Sequence, residues 1–263
     1  MADSFSTRLD RRGCATVTLD RPELHNAFDD RLVAELTAEL ARLGSDRRVR
    51  AVFLAAAGRS FSAGADLGWM RRSAGYSREE NLRDAQALAA LMRTLHGLPQ
   101  PTVALVQGAA YGGGVGLVAC CDLAVATRRA AFCLSEVRLG LVPAVISPYV
   151  VAAIGPREAR RWALTAEVFD AEEARRVGLV QEVVEGEAAL AERAERLAAN
   201  LVRNGPAALA AAKDLLRRVA GAPLDDALVA ETAERIAAVR ASPEGREGVA
   251  AFLEKRRPAW VEE

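Results

Sequence analysis

The stretch "AYGGGVGLVACCD" runs from Ala110 to Asp122 and places three consecutive glycines in a segment that carries no charge before Asp122. Glycine loses more backbone freedom on folding than any other residue, so it is poor material for a helix or a strand. Because the neighbouring residues are apolar, the stretch predicts a buried element whose backbone is approached closely by another group.

A second stretch of small residues, "SFSAGADL" from Ser60 to Leu67, has the same setting. Each stretch follows a predicted buried strand and precedes a predicted helix. Two peptide N–H groups aimed at one point would stabilise negative charge on a thioester oxygen, as oxyanion holes and helix N-termini do. The alternative is that small residues only permit tight packing of a strand against a helix. A nucleotide phosphate loop is disfavoured, because neither stretch ends in Gly-Lys-Ser/Thr.

Strand and helix patterns alternate from residue 14 to about residue 185, which predicts an α/β fold. Strands are predicted over 14–20, 52–57, 102–106, 123–126 and 132–134, and helices over 29–43 and 79–98, with Gly44 ending the first helix and a loop over 58–70. From about Ala188 the pattern is almost purely helical, with breaks near Gly205, Pro223 and Pro243.

Composition narrows the function classes. The 263 residues carry a formal net charge of zero, so no overall field attracts nucleic acid or an acidic membrane. The uncharged run 97–121 is long enough to span a membrane, but its six glycines and two prolines favour a strand, a loop and a helix start.

Four cysteines without CxxC spacing indicate buried free thiols in a reducing compartment, and two separated histidines indicate no metal site. The N-terminus shows no signal peptide, and we expect a cytoplasmic protein.

The motifs in order along the chain resemble those of the crotonase superfamily, the enoyl-CoA hydratases and isomerases. The segments that carry the resemblance are "RPELHNAF", "FSAGADL", "AAYGGGVGLVACCDLAVAT", "FCLSEVRLGLVP" and "FLEKRRPAW". The resemblance extends from about residue 5 to 260. It implies a spiral core of ββα repeats over 1–195 and a C-terminal helical segment over 196–263. That segment would mediate assembly into a homotrimer or a dimer of trimers.

The same resemblance implies roles for individual residues. The N–H groups of Ala65 and Gly113 would form the oxyanion hole. The residues implied to bind the acyl-CoA substrate are Leu24, Ala63, Asp66, Leu67, Gly112 and Lys255, the last of them through a CoA phosphate. Coenzyme A is then part of the substrate, and no separate cofactor or metal is expected.

Hydratases of this family typically hold one water between two glutamates. Glu136 matches one of them, whereas Gly116 stands where the other is usual. Glu136 lies among apolar residues, which raise the pKa of a carboxyl group and suit it to proton transfer near neutral pH. The alternative for Glu136 is an ion pair with Arg138 or a place at the end of a surface strand.

We therefore predict an enoyl-CoA hydratase in which Glu136 transfers the proton. The "PAVISP" stretch from Pro143 to Pro148 resembles the branch that hydrates methylglutaconyl-CoA and related branched enoyl-CoAs. A 3-enoyl/2-enoyl-CoA isomerase is the first alternative, because one carboxylate suffices to move a double bond. A CoA-binding homologue without turnover is the second.

Overall fold

The computed structural model describes residues 4–261, which form two parallel-rich sheets wrapped by helices. The larger sheet has the order β1-β2-β3-β5-β7-β10 and the smaller has the order β4-β6-β8-β9. The strands are β1 Phe5–Leu9, β2 Cys14–Leu19, β3 Ala51–Ala56, β4 Ser60–Ser62, β5 Thr102–Val106, β6 Ala109–Tyr111, β7 Leu123–Thr127, β8 Ala131–Cys133, β9 Phe169–Asp170 and β10 Glu182–Val184.

Ten α-helices lie within residues 4–261. They are α1 Asp30–Ser45, α2 Leu67–Ser73, α3 Arg78–Gly97, α4 Gly113–Cys120, α5 Ser147–Thr165, α6 Ala171–Val177, α7 Glu187–Leu201, α8 Pro206–Val219, α9 Asp226–Ala241 and α10 Pro243–Leu253. Short 3-10 turns cover Pro22–Leu24 and Glu136–Leu139. Within the described residues, no helix is long and apolar enough to cross a membrane.

The chain consists of repeated ββα units over much of its length, as the family resemblance implies. In each unit one strand joins the larger sheet, the next joins the smaller sheet, and a helix follows: β3-β4-α2, β5-β6-α4 and β7-β8-α5. The parallel pairs β4/β6 and β6/β8 stack the turns that leave these strands on one edge. This stacking brings the two glycine-containing stretches together.

Local sequence explains where the helices start. Asp29 caps α1 by accepting a hydrogen bond from the Leu32 N–H, and Ser77 caps α3 in a reciprocal pair with Glu80. The prediction that Gly44 ends α1 is wrong, since α1 continues to Ser45. A Cβ at Gly44 would lie 2.9 Å from Leu98 Cδ2, so glycine is needed there for packing.

The predicted loop over 58–70 is also partly wrong, because it contains β4 and the start of α2. The predicted breaks in the helical tail are confirmed, since they fall between α7 and α8, α8 and α9, and α9 and α10. The division into segments 1–195 and 196–263 stays a prediction, and α7 spans that boundary. Cys14, Cys120 and Cys133 are buried free thiols, and Cys121 is half-buried.

Candidate active site

Two small-residue turns lie back to back where β4 and β6 end. A Cβ built on Gly64 would lie 3.0 Å from the Tyr111 carbonyl oxygen, and one on Gly114 would lie 2.8 Å from the Ser62 carbonyl oxygen. Gly64 also has a φ of +87°, which other residues rarely adopt. The glycines therefore allow the two backbones to meet without intervening side chains.

Each turn presents one unused backbone N–H. Gly113 is the first residue of α4, and Ala65 immediately precedes Asp66, the N-cap of α2. Among residues 4–261, neither N–H has an acceptor within hydrogen-bond distance. Such donors at helix starts, with the positive end of the helix dipole behind them, favour an anionic oxygen. The two donors have the chemistry that an oxyanion hole requires.

A third segment, Leu24 to Phe28, closes one side of these turns. The Ala63 N–H donates to the His25 carbonyl at 2.9 Å, and the Phe28 N–H donates to the Gly64 carbonyl at 2.7 Å. Leu24, Ala63 and Leu67 are exposed, and the bond to His25 places Ala63 next to the segment that contains Leu24. The structure thus brings together the predicted substrate-binding residues of the first two motifs.

Asn26 fixes the third segment, and sequence reasoning missed it. The side chain is fully buried; its amide donates to the carbonyls of Ala57 and Ser60, both at 2.8 Å, and its oxygen accepts from the Arg21 N–H at 2.8 Å. Its φ of +53° is a left-handed conformation that asparagine tolerates better than most residues. The available signal was an Asn within a turn motif.

Gly112 brings the backbone against Glu136. Its φ of +51° with ψ of −117° is a conformation that glycine adopts at little cost, and its N–H donates to the Cys133 carbonyl at 2.9 Å. A Cβ at this position would lie 3.1 Å from Glu136 Oε1. The carboxyl group therefore lies beside the residue that precedes the Gly113 N–H.

Glu136 begins a 3-10 turn after β8 and is half-buried. Its Oε2 atom is buried and has no hydrogen-bond partner among the described residues. Burial raises the pKa of this carboxyl group above its ordinary value of 4.5. A carboxyl group that is desolvated and free of competing partners is suited to exchange a proton with a bound molecule.

The alternative of an ion pair between Glu136 and Arg138 is not what the structure shows. The Arg138 guanidinium instead donates to the Ala166 carbonyl at 2.6 Å. No ion pair of Glu136 is formed within residues 4–261. Glu136 is therefore left available for chemistry.

Ile146 occupies the space beside Gly116. A Cβ on Gly116 would lie 2.3 Å from Ile146 Cγ2, 2.9 Å from Ile146 Cβ and 3.2 Å from Met92 Cε. Ile146 is 2% exposed and Met92 is fully buried. Ile146 lies in the Pro143–Pro148 stretch, so the two sequence departures, at 116 and at 143–148, contact each other. Ile146 and Met92 therefore form an apolar wall at the position from which the side chain of a second glutamate would extend.

Two further residues predicted to bind the substrate, Asp66 and Lys255, lie at the ends of helices. Asp66 caps α2 by accepting a hydrogen bond from the Trp69 N–H at 3.0 Å. Lys255 is exposed in the turn after α10, has a φ of +55°, and α10 packs against α8 and α9. The predicted roles of Asp66 and Lys255 toward CoA stay predictions.

A buried ion pair joins the C-terminal helices to the core. Lys213 Nζ of α8 lies 2.6 Å from Asp122 Oδ2 and donates to the Gln100 carbonyl at 3.0 Å. The same carboxylate oxygen accepts from the N–H and the hydroxyl of Thr102, at 2.7 and 2.9 Å. Asp122 closes the opening motif of the sequence, so this pair ties α8 to the base of α4.

Comparison with known proteins gives a consistent result over nearly the whole chain. The family model described as enoyl-CoA hydratase/isomerase matches residues 10–263. A solved structure of an enoyl-CoA hydratase from Shewanella pealeana is 45% identical, with a TM-score of 0.95 over 98% of this chain and 96% of that one.

Two curated relatives from Escherichia coli K12 differ in activity. The 2,3-dehydroadipyl-CoA hydratase is 33% identical over 92% of this chain and 92% of the relative. The 1,2-epoxyphenylacetyl-CoA isomerase is 33% identical over 95% of both. An identity of 33% to each therefore does not distinguish a hydratase from an isomerase.

Proposed function

The chain belongs to the enoyl-CoA hydratase/isomerase family, and from that premise we propose that it adds water across the 2,3 double bond of an enoyl-CoA thioester. The observation that carries the proposal is the position of Glu136. Its desolvated carboxyl group lies against Gly112, one residue before the unpaired N–H of Gly113. Proton-transfer group and oxyanion donor thus occupy one site.

The reaction needs only one carboxylate if that group both takes and returns the proton. Glu136 accepts a proton from water while the water oxygen bonds to C3 of the enoyl group. The electron pair moves to the thioester oxygen, where the N–H groups of Ala65 and Gly113 stabilise the enolate. Glu136 then delivers its proton to C2, the thioester carbonyl re-forms, and the carboxylate is regenerated.

A second acidic group could come from the substrate. Ile146 fills the space beside Gly116, so this chain has no room there for the carboxylate that would hold the water. A dicarboxylic enoyl group, such as methylglutaconyl, would bring its own carboxylate to the water. One relative named above acts on a dehydroadipyl thioester, which is also dicarboxylic. We propose dicarboxylic or branched enoyl-CoA thioesters as the substrate class.

Double-bond isomerisation is the second candidate, and the single carboxylate favours it. Glu136 would remove a proton from C2 of a 3-enoyl-CoA and return it to C4, without any water. The apolar wall formed by Ile146 and Met92 suits a reaction that excludes water.

A comparison of kcat/KM on three thioesters tests these proposals: methylglutaconyl-CoA, crotonyl-CoA and a straight-chain 3-enoyl-CoA. We expect hydration of the dicarboxylic thioester to be fastest. Faster movement of the 3-enoyl double bond would replace the hydratase with the isomerase. Equal hydration of crotonyl-CoA would refute assistance by the substrate. The Glu136→Gln variant is the control, and it should lose kcat while still binding the thioester.

The assembly is also a proposal, a homotrimer or dimer of trimers built through the C-terminal helices. Large apolar side chains of α9 and α10 are exposed in the single chain: Val229, Ile236, Val249, Phe252 and Leu253. Exposed apolar patches of this kind are typical of subunit interfaces. Sedimentation equilibrium measures the state directly.

A further inference from the structure

A cavity of about 670 Å³ is lined by five arginines at the end of the larger sheet remote from Glu136. They are Arg11, Arg12, Arg47, Arg48 and Arg50. Arg11 and Arg12 lie in the turn before β2, and the other three precede β3, with the Arg50 N–H donating to the Gly13 carbonyl at 2.7 Å. The six residues of β3 span about 20 Å, and from its opposite end the chain continues through β4 to the Ala65 turn.

Two of these arginines have carboxylate partners. Arg12 lies within 2.8 Å of Asp10 and Glu195, and Arg48 lies 2.7 Å from Asp46. These pairs hold Arg12 and Arg48 at the wall of the cavity.

The other three have no carboxylate partner within residues 4–261. Arg11 and Arg47 make no ion pair there. Arg50 donates only to backbone carbonyls, those of Trp260 and Val202 at 3.1 Å and of Asn204 at 2.8 Å. Arg50 is thereby fixed in place, and no carboxylate among the described residues compensates its charge.

Within residues 4–261 the charges around the cavity do not balance. There, five arginines face three carboxylates, those of Asp10, Asp46 and Glu195, which leaves two positive charges in excess. The planar guanidinium forks match phosphate oxygens in pairs. A volume of this size also accommodates a small molecule.

We propose that this arginine cavity binds the dianionic phosphate or pyrophosphate group of a small molecule. Arg11 and Arg47 supply the unpaired donors, and Arg50 supplies a fixed positive charge. Trp260 lines the same cavity and holds its indole N–H on the Arg203 carbonyl at 3.0 Å. Its fluorescence therefore reports on the site.

The test titrates inorganic pyrophosphate into the full chain at low salt, followed by calorimetry and by Trp260 fluorescence. We expect saturable binding at one site per chain. Arg11→Ala and Arg47→Ala should each weaken it about tenfold, since each removes a charge-assisted hydrogen bond. Arg83→Ala, on the exposed surface of α3, is the matched control and should bind as the parent does. Trp260→Phe should bind without the fluorescence change.

Three results would overturn the proposal. One is no saturable binding, and another is equal binding by the Arg11 and Arg47 variants, which would place pyrophosphate elsewhere. The third concerns Glu262 and Glu263, which follow Val261 and lie outside the described residues. If a chain shortened to Val261 binds pyrophosphate and the full chain does not, the chain's own glutamates occupy the cavity. No enoyl-CoA activity is measured, so this outcome is independent of the proposed reaction.

Discussion

Substituting Gly116 by alanine tests whether Ile146 fills the space of the second acid. In the middle of a helix, Gly→Ala ordinarily stabilises a protein by about 0.5–1 kcal/mol. At Gly116 the new Cβ would lie 2.3 Å from Ile146 Cγ2, more than 1 Å inside an ordinary carbon–carbon contact. Overpacking of a core costs about 1–3 kcal/mol. We therefore expect a net loss of about 1–2 kcal/mol, the reverse of the usual sign.

A double-mutant cycle assigns the loss to one contact. Ile146→Ala alone should cost about 2–5 kcal/mol, because it removes a side chain that is 2% exposed. The Gly116→Ala/Ile146→Ala variant should cost less than the sum of the two, by about 1–2 kcal/mol of coupling. Equilibrium guanidinium denaturation measures all three free energies of unfolding.

The control is Gly97→Ala. Gly97 is the last residue of α3, and a Cβ there would meet no atom within 4 Å. That variant should be as stable as the parent or slightly more stable. If Gly116→Ala is also neutral or stabilising, Ile146 does not fill the space. A vanishing coupling with Ile146→Ala would lead to the same conclusion.

Three further predictions follow from the same structure. Burial raises the Glu136 pKa above 4.5, so the desolvation cost is absent below that pH and fully present above the folded-state pKa. Glu136→Gln should therefore gain stability relative to the parent as the pH rises from 4.5 through the folded-state pKa of Glu136; a stability difference independent of pH would contradict this. Lys213→Met should lose about 3 kcal/mol of unfolding free energy, because it leaves Asp122 half-buried without its cation, and a neutral result in denaturation would count against the pair. Lys255→Ala should weaken CoA binding about two- to fivefold and flatten its salt dependence; unchanged affinity and slope in a titration would exclude the contact.

Strong local patterns predicted the core of the fold. The apolar, β-branched run Thr102–Val106 gave β5 with the bounds that the structure has. The antiparallel β1 was missed because its five residues, Phe5–Leu9, are mostly exposed and polar and show no hydrophobic run. In the smaller sheet, β8 was predicted over 132–134 and lies at Ala131–Cys133. The strands β4, β6 and β9 were missed, since two or three residues are too few for any periodicity to appear.

The candidate site likewise has parts that leave a local sequence signal and parts that depend on contacts between residues distant in the sequence. Its backbone parts could be predicted, because glycines at Gly64 and Gly112 leave a sequence signal wherever φ is positive or backbones meet. The wall beside Gly116 could not be predicted, since Ile146 is thirty positions away and its contact with Gly116 is made only by packing α4 against α5. Asn26 was missed for the same reason, as its partners lie at 57 and 60.

The apolar wall and the raised pKa of Glu136 bear on one chemical question. In a site with two neighbouring carboxylates, each raises the pKa of the other, and the pair titrates together. Here no second carboxylate can stand at position 116 while Ile146 occupies its space, and burial is the leading cause of the shift at Glu136. The proton affinity of Glu136 is thus set by desolvation, which any bound acyl group deepens by excluding water. A substrate that carries its own carboxylate would restore like-charge coupling only while it is bound. In the proposed hydration, substrate binding would then itself prepare Glu136 to hold the proton that it delivers to C2.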